Sequence, residues 1–381
     1  MSKIGLYQKQ SQGYKAFIPA QFPAKDIVCW DQDLPILLSA ADRAIGKLNA
    51  IDQLVPDVDF FIYMYVKKEA ALSSQIEGTQ ATLIDLVKAE VKLSDEKVPS
   101  DVDEIKNYID AMNYGMRRLK RLPLSWRLVR EMHKRLLRGV RGHHKSPGEF
   151  RRSQNWIGGP TLETASFIPP PPYVLPDALS QLEKFFYDGP AKLPPLIKAG
   201  LIHAQFETIH PFLDGNGRTG RLLITFYLCQ EKVLGRPLLY LSDFFKKYRR
   251  NYYDKLNDYR LSEKGVVDWL KFFLEGIRAV SEEAVETALK ITKLHHRNID
   301  IVSRFGRNAE NALKLLMRLY SRPVVDSALI GDVTGIASKT NIKGLIDKFE
   351  KAKILHEITG KKRNRRFIYR DYLRLFSEEK L

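Results

Sequence analysis

The chain has 381 residues, 44% of them hydrophobic, and its 62 Lys and Arg exceed its 45 Asp and Glu to give a net charge of +17. At about 150 residues per domain this is two or three domains with enough apolar material for sizeable cores, which excludes a chain disordered throughout. The positive surplus fits an acidic partner (a nucleotide, a nucleic acid or an anionic surface) or a solvated basic surface. Cys29 and Cys229 are the only cysteines. They exclude a disulfide framework and a cysteine-based zinc cluster, and they fit a reducing compartment. Met1 to Lys9 lacks the apolar core of a signal peptide, and no apolar run reaches about 18 residues. The expectation is a soluble, cytoplasmic protein with no membrane partner.

The pattern is mainly helical. Leu34, Leu38, Ala41, Ile45 and Leu48 recur at helical spacing, with Pro35 suited to the first turn. Leu83, Leu86 and Val87 make a shorter stripe, and Leu128, Met132, Leu136 and Leu137 predict a helix over 126–140. Pro194 and Pro195 precede Ala199, Ile202, Phe206 and Ile209, and Leu222, Leu223, Phe226 and Tyr227 carry the next helix. Residues 268–297 read as one or two further helices.

Residues 151–172 break this pattern. Trp156-Ile157 and Ser166-Phe167-Ile168 flank Gly158-Gly159-Pro160, and four prolines follow at 169–172. This reads as a β-hairpin or flap with an extended exit, leading into a helix at 176–186. The proline run alone also suits a ligand for a proline-binding module.

Residues 305–381 hold 17 Lys and Arg against 9 Asp and Glu, nearly half of the net charge in a fifth of the chain. Helical segments at 311–320, 330–334 and 339–351 precede apolar strands at 354–358 and 367–369, with the basic run Lys361-Lys362-Arg363-Asn364-Arg365-Arg366 between them. Three helices and a basic-tipped hairpin form a winged-helix pattern, with the helix from Ser338 in the recognition position.

The run that carries chemistry is His210-Pro211-Phe212-Leu213-Asp214-Gly215-Asn216-Gly217-Arg218-Thr219-Gly220-Arg221. It lies between two apolar-periodic helices. Asp214-Gly215-Asn216-Gly217 should turn, and the glycines let backbone N–H groups converge without Cβ clashes. A helix starting near Arg218 would offer its N-terminus to phosphate. Arg218 and Arg221, three apart, share a face and suit two phosphates of a nucleotide. Asp214 inside this positive loop suits Mg²⁺. His210 at the end of the preceding helix suits a general base.

This run resembles the signature of the Fic family, His-Pro-Phe-x-Asp/Glu-Gly-Asn-Gly-Arg-x-x-Arg, at every fixed position. The resemblance implies a helical Fic core with a β-hairpin flap, and transfer of AMP from ATP to a Tyr, Thr or Ser hydroxyl of a target protein. By that analogy His210 deprotonates the acceptor and Asp214 holds Mg²⁺. Gly215, Asn216, Gly217, Arg218, Thr219 and Gly220 bind the nucleotide, and Arg221 takes the γ-phosphate. The intact Gly-Asn-Gly argues against the relatives that use other donors, such as the Doc-type kinases. Ile157, Gly158, Gly159, Phe167 and Ile168 resemble the family's target-docking flap. Tyr248, Tyr252 and Tyr253 are candidates to border the adenine, with core packing as the alternative; Tyr248 is the choice for ATP.

Ser73-Ser74-Gln75-Ile76-Glu77-Gly78 matches the family's inhibitory pattern, Ser/Thr-x-x-x-Glu-Gly/Asn. The resemblance implies the subclass with an N-terminal inhibitory helix, in which Glu77 pairs with Arg221 in the nucleotide site, supported by Ser73 and followed by Gly78. Relatives of this kind can also remove AMP through the same glutamate. The resulting domain reading is an N-terminal helical segment over 1–104, a Fic core over 105–265, a helical linker over 266–304 and the winged-helix-like domain over 305–381. Expected partners are a target protein and the chain itself as a self-modification target, with a homodimer compatible. The alternative is a DNA-binding transcriptional regulator whose Fic core senses nucleotide, the C-terminal domain contacting either DNA or protein.

Overall fold

Apolar residues three and four apart become helix through most of the chain. A computed structural model describes residues 4–53, 55, 57–90, 101–187 and 193–376. The first three residues of the N-terminal reading and the last five of the C-terminal domain lie outside the described residues. In chain order the elements begin with β1 (Gly5–Lys9) and β2 (Lys15–Pro19), then α1 (Asp33–Asn49), α2 (Val58–Ile76), α3 (Leu83–Glu90), α4 (Val102–Leu119) and α5 (Trp126–Leu136). An irregular stretch leads to α6 (Leu175–Tyr187), α7 (Pro195–Ile209), α8 (Asn216–Gln230), α9 (Ser242–Lys247), α10 (Arg249–Leu261) and α11 (Glu263–Ser303). Then come α12 (Ala309–Ser321), β3 (Val324–Asp326), α13 (Ser327–Thr334), α14 (Lys339–Lys351), β4 (His356–Glu357), β5 (Arg366–Ile368) and α15 (Arg370–Leu373). Among the described residues no helix is long and apolar enough to cross a membrane.

The chain divides into two compact units. The first comprises Met1–Asn49, Leu72–Thr79 and Asp103–Glu282. Its centre is α7, in which every residue from Leu196 to Ile209 is buried. A helix buried on all sides needs apolar residues around its whole circumference, and Leu196, Ile197, Leu201, Ile202, Phe206 and Ile209 provide them. The Gly200 carbonyl accepts from Trp269 Nε1 at 2.8 Å, seating α11 on α7. Gly115 allows α4 to cross close by: a Cβ there would lie 2.4 Å from Met132 Sδ and 2.6 Å from the Phe226 ring.

The second unit comprises Ala50–Ala71, Gln80–Val102 and Glu283–Leu381. Leu315, Leu316 and Leu319 of α12, Leu345, Ile346 and Phe349 of α14, and Phe367 and Ile368 of β5 form its core. Its antiparallel sheet has the order β3-β5-β4, with Val324 and His356 both opposite Ile368. The Asp326 carboxylate caps α13 by accepting from Leu329 N at 2.9 Å.

Several boundaries differ from the sequence reading. The helix expected over 126–140 ends at Leu136, because Gly139 and Gly142 take φ of +68° and +84° and turn the chain. Residues 268–297 belong to one continuous helix, α11. The flap is a single antiparallel bridge, Ile157 to Phe167, and not a pair of extended strands. Gly158 and Gly159, at φ of +70° and +75°, form its turn, and the prolines that follow lack the N–H groups a longer ladder needs.

Candidate functional site

The chemistry-bearing run occupies the turn between α7 and α8. His210 caps α7 in the left-handed region, φ 49° and ψ 62°, which costs a non-glycine residue about 1–2 kcal/mol. Two side chains hold it there. Arg151 Nε donates to the His210 carbonyl at 2.9 Å, and Asn155 Nδ2 donates to the same oxygen at 3.2 Å. Arg151 also reaches the carbonyls of Ser153, Pro170 and Ile209, and burial lowers its pKa to about 10.

The turn is stapled from within. Asn216 Oδ1 accepts from Phe212 N at 2.9 Å, and its Nδ2 donates to Phe212 O at 2.8 Å. His133 of α5 lies flat on Phe212, with ring centroids 3.8 Å apart. Gly148 N donates to His133 Nδ1 at 2.8 Å, so the proton sits on Nε2, which donates to Asp214 O at 2.8 Å. Burial pushes the His133 pKa down to about 4, which keeps the ring neutral and its bonds intact. Gly215 takes φ of +76° to start α8, whose first-turn N–H groups have no carbonyl partner within the helix and follow His210 in the chain by six residues.

Both arginines of the run are buried. Arg218 Nη1 lies 3.0 Å from Glu104 Oε2, a carboxylate that also accepts from Thr79 Oγ1 at 3.1 Å. Arg218 Nε is buried with no hydrogen-bond partner. Arg221 Nε donates to Ser73 Oγ at 2.8 Å, and Nη2 donates to Ser73 O at 2.9 Å and to Glu77 Oε1 at 2.8 Å. Burial opposes the Arg221 charge, but the Glu77 carboxylate beside it holds the guanidinium above its ordinary pKa. Glu77 follows the last turn of α2, and Gly78 at φ +95° ends that turn. The acidic end of Glu77 therefore sits at the N-terminus of α8: a Cβ on Gly217 would lie 2.1 Å from Glu77 Oε1.

The flap root is pinned and its outer edge is open. Phe167 and Ile168 are buried, the Arg260 guanidinium lies 3.6 Å from the centre of the Phe167 ring, and Phe17 N of β2 donates to Ile168 O at 2.9 Å. Arg260 in turn donates to Thr208 Oγ1 and to the Glu207 carbonyl of α7. Ile157 is half-buried, while Gly158 and Gly159 are exposed.

The Fic/DOC family model matches residues 123–228, and the Fic/DOC family N-terminal model matches residues 36–117. The chain carries a Fic/DOC domain. Relatives named protein adenylyltransferase Fic include one from Drosophila willistoni, 32% identical over 221 residues, which cover 56% of this chain and 40% of that protein. Another, from Aedes aegypti, is 36% identical over 132 residues, covering 34% of this chain and 23% of its own length. The chain thus spans less than half the length of these curated relatives. Among solved structures, a Fic family protein from Desulfovibrio desulfuricans aligns with a TM-score of 0.57 at 18% identity, covering 91% of this chain and 98% of that one. A Fic domain containing signaling protein from Bacteroides thetaiotaomicron gives 0.54 at 20% identity, covering 66% and 97%. These likenesses show a Fic fold.

In this Fic chain His210, Asp214 and Gly215 lie on the turn after α7 and Asn216, Gly217, Arg218, Thr219, Gly220 and Arg221 on the start of α8, where Ser73 of α2 and Glu77 just beyond it meet Arg221. Tyr248 ends α9, packs on Phe244 at 4.8 Å and is 41% exposed. Tyr252 is buried and bonds His203 Nε2 through its hydroxyl at 2.8 Å. Tyr253 is close enough to Glu77 and Arg221 to feel both charges. Sequence reasoning missed Glu104, His133, Arg151, Asn155 and Glu207. Each is a single polar residue that meets the turn only in three dimensions, and only Glu207, a charged residue inside the apolar run of α7, stands out from its sequence neighbours.

Proposed function

We propose that this Fic protein is a protein adenylyltransferase that moves AMP from ATP to a Tyr, Thr or Ser hydroxyl of a target protein. The observation that carries the reading is the juxtaposition of His210 with the α8 N-terminus and the buried Arg218 and Arg221. His210 takes the proton of the incoming hydroxyl, the oxygen attacks the α-phosphate, and pyrophosphate leaves. The first-turn N–H groups of α8 and the two guanidinium groups hold the phosphates. Asp214 suits Mg²⁺, because its side chain is about one-third exposed at the mouth of the turn, and Mg²⁺ binds through one or two carboxylates plus substrate phosphates. Bound there, Mg²⁺ neutralises charge on the leaving pyrophosphate. Ile157, Gly158 and Gly159 offer the open edge to an extended target segment, with Phe167 and Ile168 as its anchored root.

Glu77 makes the resting enzyme autoinhibited by holding the arginine that the γ-phosphate needs, and after AMP transfer the same carboxylate orients a water for removal of AMP. Residues 1–104 carry this inhibitory segment, 105–265 the Fic core, 266–304 the linker and 305–381 a winged-helix module. Cys29 and Cys229, which form no disulfide, suit a reducing compartment, and the cytoplasm is the location this reading takes. The test is intact mass after incubation with ATP and Mg²⁺, wild type beside Glu77→Gly. Gain of AMP in the variant supports the reading. Gain of phosphate makes it a kinase, and no gain in either removes ATP-dependent self-modification.

A second reading, a DNA-binding regulator with a nucleotide-sensing Fic core, is favoured by one observation within the second unit. Lys339, Thr340, Asn341 and Lys343 at the start of α14, and Lys361, Lys362 and Arg363 at the hairpin tip, are all exposed. Arg365 is engaged by Glu350 at 3.2 Å, so Lys361, Lys362 and Arg363 are the residues to replace. Duplex DNA binding that weakens with salt and is lost in that triple variant supports this reading.

A further inference from the structure

Glu207 and His210 face each other across the last turn of α7. Glu207 Oε2 lies 3.6 Å from His210 Nδ1. Glu207 is only 5% exposed, and both its Oε1 and His210 Nδ1 are buried without a hydrogen-bond partner. Glycine at 220 lets α8 pass this carboxylate, since a Cβ there would lie 2.6 Å from Oε1. The neighbouring cations are directed elsewhere. Arg260 meets the Glu207 carbonyl, and Arg221 is engaged by Ser73 and Glu77. His203 spends Nδ1 on Gly220 O and Nε2 on Tyr252. A buried carboxylate is stable only with hydrogen-bond donors, and the imidazole Nδ1–H stands nearest.

We infer that Glu207 is a positioning residue for His210, its carboxylate accepting from Nδ1–H and so keeping Nε2 unprotonated and turned away from the core. The inference rests on the transferase reading. Nδ1 is sealed, so the 17% of the His210 side chain that meets solvent belongs to the rest of the ring. At 3.6 Å the contact is open by a few tenths of an ångström, as hydrogen bonds of catalytic groups often are before substrate binds. Burial raises the Glu207 carboxyl pKa, but His210, His203 and Arg221 outweigh it and hold the group below its usual value. In the transfer step the acceptor oxygen bonds to the α-phosphorus as the bond to pyrophosphate breaks, and the hydroxyl proton moves to Nε2. Glu207 stabilises the resulting imidazolium without taking a proton, and the ring later returns its proton to water.

The test uses the full chain with ¹⁵N-labelled histidine, the His210 signals being assigned by their loss in His210→Ala. Wild type is expected to show protonated Nδ1 and a pyridine-type Nε2. Glu207→Gln, whose amide oxygen still accepts, should keep that tautomer, whereas Glu207→Ala should shift it towards protonated Nε2. In a Glu77→Gly background, Glu207→Ala is expected to lower kcat about 10- to 100-fold with KM for ATP unchanged. A wild-type His210 protonated on Nε2, or an unchanged kcat in a folded Glu207→Ala, overturns the inference. If Glu207→Ala does not fold, the wild-type and Glu207→Gln tautomers decide it. The tautomer needs no turnover, so absence of AMP transfer in every variant counts against the transferase reading alone.

Discussion

Glu77 Oε1 stands 2.8 Å from Arg221 Nη2, across 144 residues of chain, with the arginine side chain 2% exposed and the glutamate 30%. The pair places a carboxylate at the N-terminus of α8, where the helix and two guanidinium groups favour an anion. A nucleotide that needs Arg221 has to displace it. A hydrogen bond between charged groups in this setting contributes about 1.5–3 kcal/mol.

Removing that competitor should release activity. Glu77→Gly is expected to raise the initial rate of self-modification with ATP by about 10- to 100-fold, the equivalent of that energy. His210→Ala in the same background should lower the rate by a factor of about 10²–10⁴. Mass-spectrometric rates on the three proteins check both, and equal rates for wild type and Glu77→Gly would sink the inhibitory role.

Gly217 tests the same contact through packing. A methyl group at position 217 lands on the far end of the Glu77 side chain, which can swing aside only by giving up Arg221, so Gly217→Ala should destabilise the protein by no more than that bond contributes, about 1.5–3 kcal/mol. In a Glu77→Gly background the clash is relieved, and the cost should shrink by more than about 0.5 kcal/mol. Urea denaturation of the four proteins of this cycle measures the coupling, and strict additivity would mean that Glu77 does not occupy this position in solution.

The flap root gives a third expectation. Phe167 is 2% exposed and lies against the Arg260 guanidinium. Phe167→Ala should cost about 3–5 kcal/mol of stability. Because the bridge to Ile157 and the Arg260 contact set the flap edge, the variant should raise KM for a target protein while leaving ATP affinity in place. Titration with a labelled ATP analogue separates the two effects; parallel loss of both would make the flap part of the nucleotide site.

How much of this was legible depends on whether the determinants are contiguous. His210 to Arg221 holds base, turn glycines and phosphate-binding arginines in one run, so spacing alone reveals the turn and the helix that follows. Glu77 meets Arg221 only because two helices pack together, and no local pattern reports that; the resemblance supplied it. Glu104 and His133 look like any polar residue on a helix. α4 lay outside the predicted segments although Ile105, Tyr108 and Met112 stand at helical spacing, and β3 is three residues long, too short for period-two alternation to register. The β1–β2 hairpin escaped notice because Leu6 and Tyr7 of β1 are both exposed, which erases the alternation.

His203 makes stability depend on pH with a definite sign. It is completely buried in α7, and burial lowers its pKa below the ordinary imidazole value. Gly220 O can only accept, so Nδ1 carries the proton and Nε2 accepts from the Tyr252 hydroxyl; protonation would reverse that second bond and put a charge in the core. Above about pH 6.5 the folded and unfolded rings are both neutral, and the contribution is fully present. As pH falls below that value the unfolded ring binds a proton that the folded ring refuses, so stability falls by up to about 1.4 kcal/mol per pH unit. His203→Phe lacks this proton. It should be less stable than wild type at pH 7, because Gly220 O and Tyr252 lose their partner, yet lose stability more slowly between pH 6.5 and 5. Urea midpoints at three pH values in that window compare the slopes. The remaining titrating groups are common to both proteins, so identical slopes would mean that His203 is protonated equally in the folded and unfolded chains.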